Sequence, residues 1–341
     1  MATLDDRFEI LVDSLVGYHR AWVVYLGLEL GLLAAIRAAG PEGLTPDELA
    51  ARTGCAAEPI GVWALASEAF DLASFDGERL RLDDSLARIL LDQDRPEYLG
   101  GQFHHTVVAA MDYEGLADFF RTGQPRTDRP DRYRASIERL TVQDITVFFE
   151  EALAALPDLV ADLVRGIRVA DVHCGGGRWL VAMARRFPES QFMGVEFETD
   201  SVRRARANVA AAGLADRVRI AEADIPDIDE SVGQLDMTYF QYALHQLASP
   251  VDGLRAGWSA LRPGGRLVVL DWTAPGSLEE LRTAHGQLVA GLMLDELYGG
   301  ARLFTVSDFE RTFAEAGLPA PAIIDLPSGA TLLVARRPSA D

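Results

Sequence analysis

The chain contains no lysine: all 32 of its basic residues are arginine. A lysine Schiff base is therefore impossible, and that mode of covalent catalysis is excluded. Cysteine is almost as scarce. Cys55 and Cys174 are the only two, which gives neither a disulfide framework nor zinc-ligand spacing. No apolar run reaches the about 18 residues that a membrane-spanning helix needs. The start, Met-Ala-Thr-Leu-Asp-Asp, is acidic and lacks the basic and apolar regions of a signal peptide. A cytoplasmic location with no membrane partner is expected. Positive charge is in deficit as well, with 32 basic against 52 acidic residues and a formal net charge of −20. Phosphate backbones are held by clustered cations, so nucleic acid is not expected as a partner. What remains, 49% hydrophobic and 25% charged over 341 residues, suits a globular chain long enough for two domains.

The most informative stretch is Val169-Ala170-Asp171-Val172-His173-Cys174-Gly175-Gly176-Gly177. A short apolar strand, Arg168–Val172, runs into glycines and then into an amphipathic helix, Trp179–Phe187. Glycines let a backbone turn tightly and approach a ligand with no Cβ in the way. The helix that follows begins with unpaired N–H groups. This pattern predicts a nucleotide or nucleoside site at the carboxyl end of a parallel strand. His173 is the odd residue, because such loops usually carry glycine at that position.

From residue 168 onward, strands and helices alternate. Strands are predicted at Arg168–Val172, Gln191–Glu196, Val218–Ala221, Leu235–Phe240 and Gly265–Asp271, the last after the turn Arg262-Pro263-Gly264-Gly265. Helices fit between them, notably Asp200–Ala212 with Gly213 as its C-cap. Two further strand-like runs, Ala322–Leu326 and Thr331–Ala335, close the chain. Such alternation predicts an α/β fold with a doubly wound, Rossmann-like sheet, in which ligands bind beyond the carboxyl ends of the strands. Those ends present Asp171 and His173, then Glu196, Asp224, Gln241 with Tyr242, and Asp271 with Trp272. An acid after the second strand suits a ribose diol. Asp224 can accept from an adenine amino group, and the Ile225 N–H can meet a ring nitrogen.

The N-terminal half reads as helical. Apolar positions over residues 8–38, including Phe8, Leu11, Val12, Leu15 and Val16, nearly encircle a helix, so burial on most sides is expected, with a dimer interface as a natural use. Residues 44–82 read as a winged helix. Thr45 caps Pro46–Arg52 with Glu48 as capping-box partner. A second helix spans Glu58–Phe70, and a hairpin turns at Asp76-Gly77. The second helix has no cation to position DNA, so a structural, dimerising module is the better reading. Adjacent His104 and His105 point about 100° apart on a helix and cannot easily share an ion, so a surface or pocket pair is expected and no metal. Arg121–Arg134 reads as a charged connector. Asp144, Phe148 and Phe149 lie on a helix leading to the glycine loop and are expected to roof the site.

These motifs resemble the class I S-adenosylmethionine-dependent methyltransferases over about residues 165–337. Asp171 to Gly177 resembles the family's glycine loop, Gly194-Val195-Glu196 its ribose-binding strand end, Ala223-Asp224-Ile225 its adenine segment, and Leu261 to Gly265 the turn before strand five. The N-terminal half resembles the winged-helix dimerisation domain of bacterial small-molecule methyltransferases. The resemblance implies a helical winged-helix domain over 1–97, a helical linker and lid over 98–164, and an S-adenosylmethionine-binding domain over 165–341. It implies a homodimer in natural-product metabolism. The cofactor would be held by Asp171, His173, Gly175, Gly177, Glu196, Asp224, Ile225, Gln241 and Tyr242. The acceptor pocket would include Asp144, Phe148 and Tyr298. Family members carry a general base after strand four, and here His245 takes that place.

Three functions stay open on the sequence alone. The first is methyl transfer to a small molecule, with alignment and desolvation as the protein's main contributions. The second is cyclisation of S-adenosylmethionine itself, as in the similar azetidine-2-carboxylate synthases, where His173 could neutralise the attacking amine. The third is a non-catalytic regulator that senses the cofactor.

Overall fold

A computed structural model describes residues 3–223 and 234–339. The chain divides into two compact units, one of residues 1–121 and 128–146, the other of 122–127 and 147–341. The stretch 98–164 is therefore not a unit of its own: its larger part folds with the N-terminal residues and 147–164 folds with the sheet.

The first unit is helical. Thr45 caps the helix Pro46–Thr53 by accepting from the Glu48 N–H, and the Glu48 carboxylate accepts from the Thr45 N–H at 2.9 Å. The helix Ala57–Ala69 follows, then the short antiparallel strands β1 (Ser74–Phe75) and β2 (Leu80–Arg81). Their core gathers Leu32, Leu33, Ile36, Leu49, Ile60, Ala64 and Leu80. Each such aliphatic burial is worth about 1.5–3 kcal/mol.

The expectation for residues 8–38 is corrected in two respects. The helix is broken into Leu4–Glu29 and Leu32–Ala39, with Gly31 left-handed between them. Only Val24 and Gly27 of the first helix are buried, whereas Leu4, Phe8, Leu11 and Leu15 are 62–84% exposed. A helix apolar all round signals burial, but not by which chain. Among the described residues no single helix is long and apolar enough to cross a membrane, although this bent pair passes together by length and composition.

His104 and His105 are not at the surface. Both are buried in the helix Gly100–Ala110. His104 Nε2 lies 2.9 Å from Glu29 Oε2, and His105 Nδ1 lies 2.9 Å from Ser136 Oγ. Burial drives the His104 imidazole below its ordinary value, against the pull of Glu29.

The second unit holds a seven-stranded sheet in the order β5-β4-β3-β6-β7-β9-β8. Its strands are β3 (Arg168–Val172), β4 (Gln191–Glu196), β5 (Val218–Glu222), β6 (Leu235–Gln241), β7 (Leu261–Trp272), β8 (Ala322–Asp325) and β9 (Ala330–Arg336). The first five are parallel, and β9 and β8 add an antiparallel edge. Parallel strands covered on both faces must be apolar throughout, and Val169, Val172, Val195, Leu267 and Val269 are accordingly almost inaccessible. The expected turn over 262–265 falls within the bounds of β7, where the register shifts: Leu235 pairs with Leu261 and Met237 with Arg266, and Gly264 is left-handed.

Helix Gly100–Ala110 comes so close to helix Asp131–Leu140 that a Cβ on Gly101 would stand 2.3 Å from the Arg139 carbonyl oxygen. A rigid backbone oxygen cannot yield as a side chain would. Gly101→Ala is expected to destabilise the first unit by about 1–3 kcal/mol, read as a lower denaturant midpoint.

Candidate active site at the carboxyl ends of the strands

β3 pairs with β4 on one side and β6 on the other, so the chain leaves β3 at the point where the strand order reverses. Open α/β sheets split at such a point and leave a crevice. The glycine loop lies there. Gly175 and Gly177 are left-handed, at φ 53° and 68°. A Cβ built on Gly175 would meet nothing within 4 Å, whereas one on Gly177 would press on Ala205 at 3.2 Å. The first glycine thus faces open space and the last lets two helices close up. Helix Arg178–Arg186 starts at Gly177 with no side-chain cap, leaving N–H groups for a ligand.

Glu196, at the end of β4, is wholly buried. Its Oε1 accepts from the N–H groups of Phe197 and Glu198, both at 3.0 Å, and its Oε2 from the Gly175 N–H at 2.9 Å. His173 Nδ1 lies 3.2 Å from Oε2, close enough for an ion pair though not aligned as a hydrogen bond. Burial pushes the Glu196 carboxyl up, but His173 and the N–H donors prevail and hold it below the ordinary value. Asp171 accepts from no such donors among the described residues. Burial, reinforced by the Glu196 charge, raises it well above the carboxylate range. The Cys174 thiol is likewise driven up by burial and by these two acids, which makes it a poor nucleophile.

His173 adopts φ +65°, a conformation that costs a side-chain-bearing residue about 1–2 kcal/mol. Its ring turns onto Glu196 and stacks on Phe197, with centroids 5.2 Å apart and planes 10° from parallel.

After β6, Tyr242 is also left-handed, at φ 49°, and its N–H donates to the Leu270 carbonyl at 2.7 Å. That bend delivers the short turn Leu244–Gln246 and buries His245. His245 Nδ1 is held by Asp271 at 2.7 Å to Oδ1 and 2.9 Å to Oδ2. Nε2 is 3.8 Å from Glu296 Oε2 and has no hydrogen-bond partner among the described residues. Burial opposes charge on this imidazole, but Asp271 and then Glu296 outweigh it and raise it to about 10.

The expected site residues scatter unevenly. Asp171, His173, Gly175, Gly177 and Glu196 converge on one crevice, and Gln241 and Tyr242 end the strand beside it. Gln241 Oε1 is buried with no partner among the described residues. Asp224 and Ile225 lie outside the described residues. Phe148 is fully buried against Trp179 and Tyr239, both at 5.0 Å between ring centroids, and Tyr298 is buried too. Asp144 is buried in the first unit. Asp271 was visible as a strand end, but nothing local connects it, or Glu296, to His245. A cavity of about 470 Å³ beyond the end of β7 is lined by Thr273, Glu280, His285, Thr305 and Asp325. Trp272 stacks on His285 at 6.0 Å and sits 5.9 Å from the Tyr242 ring, linking this cavity to the end of β6. A smaller cavity, of about 260 Å³, opens at the opposite, amino ends of the strands.

Residues 169–265 match the family model described as a methyltransferase domain. The match takes in the glycine loop and Glu196 and places a methyltransferase-type domain within the second unit. Among curated proteins, the chain is 33% identical over 180 residues to aclacinomycin 10-hydroxylase RdmB of Streptomyces purpurascens, covering 51% of this chain and 47% of that one. It is 28% identical over 163 residues to 27-O-demethylrifamycin SV methyltransferase of Amycolatopsis mediterranei, covering 45% and 60%. The chain spans about half the length of the curated relatives it matches. An O-methyltransferase family protein from Burkholderia thailandensis has the same fold, with a TM-score of 0.71 at 20% identity and full coverage of both chains. The S-adenosylhomocysteine-bound calicheamicin biosynthetic methyltransferase CalO1 superposes with a TM-score of 0.73 at 19% identity, covering 99% of this chain and 100% of that one.

The pairing of His245 fixes a sign for stability against pH. Its folded value, about 10, lies above the unfolded 6.5. The stabilisation is complete below pH 6.5 and is lost as pH rises toward 10. Urea midpoints should fall over that interval in the native protein and fall less in His245→Asn.

Proposed function

We propose that the protein methylates a hydroxyl group of a small molecule in natural-product metabolism, with S-adenosylmethionine as donor and His245 as proton acceptor. The observation that carries this reading is the buried His245–Asp271–Glu296 cluster, whose Nε2 is unpartnered among the described residues. Glu196 would take the ribose hydroxyls. Gly175 would give the methionine end room to approach, and Gln241 Oε1, Tyr242, Asp224 and Ile225 would complete the cofactor site, with Asp171 beneath the loop. The group, when bound, supplies an electrophilic methyl on sulfonium. Asp271 holds the imidazole so that Nε2 faces away from it, and the two carboxylates make that nitrogen a strong base. A strong base takes a proton only when it is itself unprotonated, so turnover should rise with pH toward the alkaline side. Acceptor contacts are assigned to Tyr298 and to the His285-lined cavity. Phe148 acts from behind, through Trp179 and Tyr239.

Cyclisation of the cofactor would need a free base at its amine. Methyl transfer is favoured instead by His245, which Asp271 holds at Nδ1 with Nε2 left without a hydrogen-bond partner among the described residues. Incubation with S-adenosylmethionine and a panel of phenols and alcohols, read by mass spectrometry, tests this. A product heavier by one methylene unit, with S-adenosylhomocysteine, is expected, while methylthioadenosine from the cofactor alone would refute it. His245→Ala should lower kcat by about 10²–10⁴. Asp271→Asn should move the pH profile toward acid.

The same proposal includes a cytoplasmic homodimer in which residues 44–82 act as a winged-helix brace and not as a DNA reader. Leu4, Phe8, Leu11, Leu15 and Tyr18 repeat at three- and four-residue intervals along one exposed stripe, the spacing of a helix–helix seam. Leu11→Asp is expected to halve the mass seen by light scattering, leaving each protomer folded. A native protein already monomeric at micromolar concentration would contradict it.

A further inference from the structure

Glu196 is in a contradictory position for a ribose ligand. The acid that should receive two hydroxyl protons has a side chain only 1% exposed. A carboxylate offers about four acceptor sites, and four groups already approach this one. Three are backbone N–H groups, of Gly175, Phe197 and Glu198, fixed by the loop and by the strand end. The fourth neighbour is the His173 ring, in ion-pair range at 3.2 Å and the one of the four that can leave by side-chain rotation. Its side chain is 22% exposed, so it has an open side toward which to move. It stacks on Phe197 while its Nδ1 stays 3.2 Å from the carboxylate, as a cover rather than as a distant counter-charge.

Building on the cofactor assignment above, we infer that His173 is a cap on the ribose-binding carboxylate. Its ring must rotate off Glu196 before the cofactor's diol can be held there, so the diol takes the side of the carboxylate that the imidazole now covers. His173 is thus a positioning residue that sets cofactor affinity through Glu196.

The cap holds most firmly when the imidazole is protonated, because the contact is then an ion pair. Glu196 is the ionised group facing the ring. The other titratable groups coupled to that carboxylate, Asp171 and Cys174, are kept neutral by burial. Glu198 contributes its N–H, while its carboxylate turns to Ser201 and Arg204. Opening the cap costs more when the imidazole carries its proton, so cofactor binding should weaken as pH falls. A preference equivalent to one pH unit is tenfold in affinity.

The test is calorimetric titration of the full chain with S-adenosylhomocysteine between pH 8 and pH 5.5, for the native protein, His173→Gly and His173→Asn. Glycine and asparagine both tolerate the left-handed backbone here, and thermal unfolding checks that each variant folds. Native affinity should fall about tenfold across the interval. Both variants should bind at least as tightly as the native protein at pH 8 and lose most of the fall. Weaker binding of both folded variants at every pH would mean that the ring touches the nucleoside, and would overturn the cap. An undiminished fall in the variants would assign the proton to Asp171 and overturn it too. Folded native protein that binds nothing at any pH would refute the cofactor reading itself, and the cap with it.

Discussion

The backbone pairing of β3 with β4 on one side and β6 on the other governs everything at the site. It brings the carboxyl ends of three parallel strands to one level. Because β3 is the first of them in the chain and the order reverses around it, the helices on either side diverge there. The crevice that results needs no special residue to exist. Residues then decide what it does: glycines where backbone must approach a ligand, an acid at the end of β4, and a bend at Tyr242 that carries His245 back over the end of β7.

Electrostatics inside this crevice divides into two systems. Around Glu196, backbone donors stabilise one negative charge, and the neighbouring Asp171 gives up its own. Two carboxyl groups so close and so buried do not both ionise cheaply. Around His245, one imidazole serves two carboxylates and is driven the other way, toward the charged form. The first system is suited to holding a cationic, hydroxyl-bearing ligand. The second holds a buried imidazole between a buried carboxylate and a partly exposed one. Glu196, Asp171, His245 and Asp271 are all buried, so each interaction among them counts for more than it would in solvent.

The sheet was legible because its signals are local. β3 and β4 have the predicted bounds, since a continuous apolar run that ends in glycine or in acid has few other readings. β7 starts earlier than predicted because Pro263-Gly264, a turn signal anywhere else, falls within the strand's bounds, where the register shifts. The helix of residues 8–38 misled for a different reason. Its periodicity reports that a surface is apolar, and burial within the chain is only one way to satisfy that. The base cluster was legible only in part. His245 stands at a recognisable place after β6, but Glu296 reaches it from a helix far along the chain, and only the fold joins them. The His173 ring was expected beside the methionine end and turns onto the ribose acid, a choice made by Phe197 and Glu196 that no spacing encodes.

Hydrogen–deuterium exchange of the full chain, with and without S-adenosylhomocysteine, tests the central claim most directly. If the crevice at β3, β4 and β6 is the cofactor site, exchange should slow over residues 173–177 and 194–198, and change little at the amino ends of the strands. Protection confined to 273–286, or none in a folded protein at saturating ligand, would contradict the account.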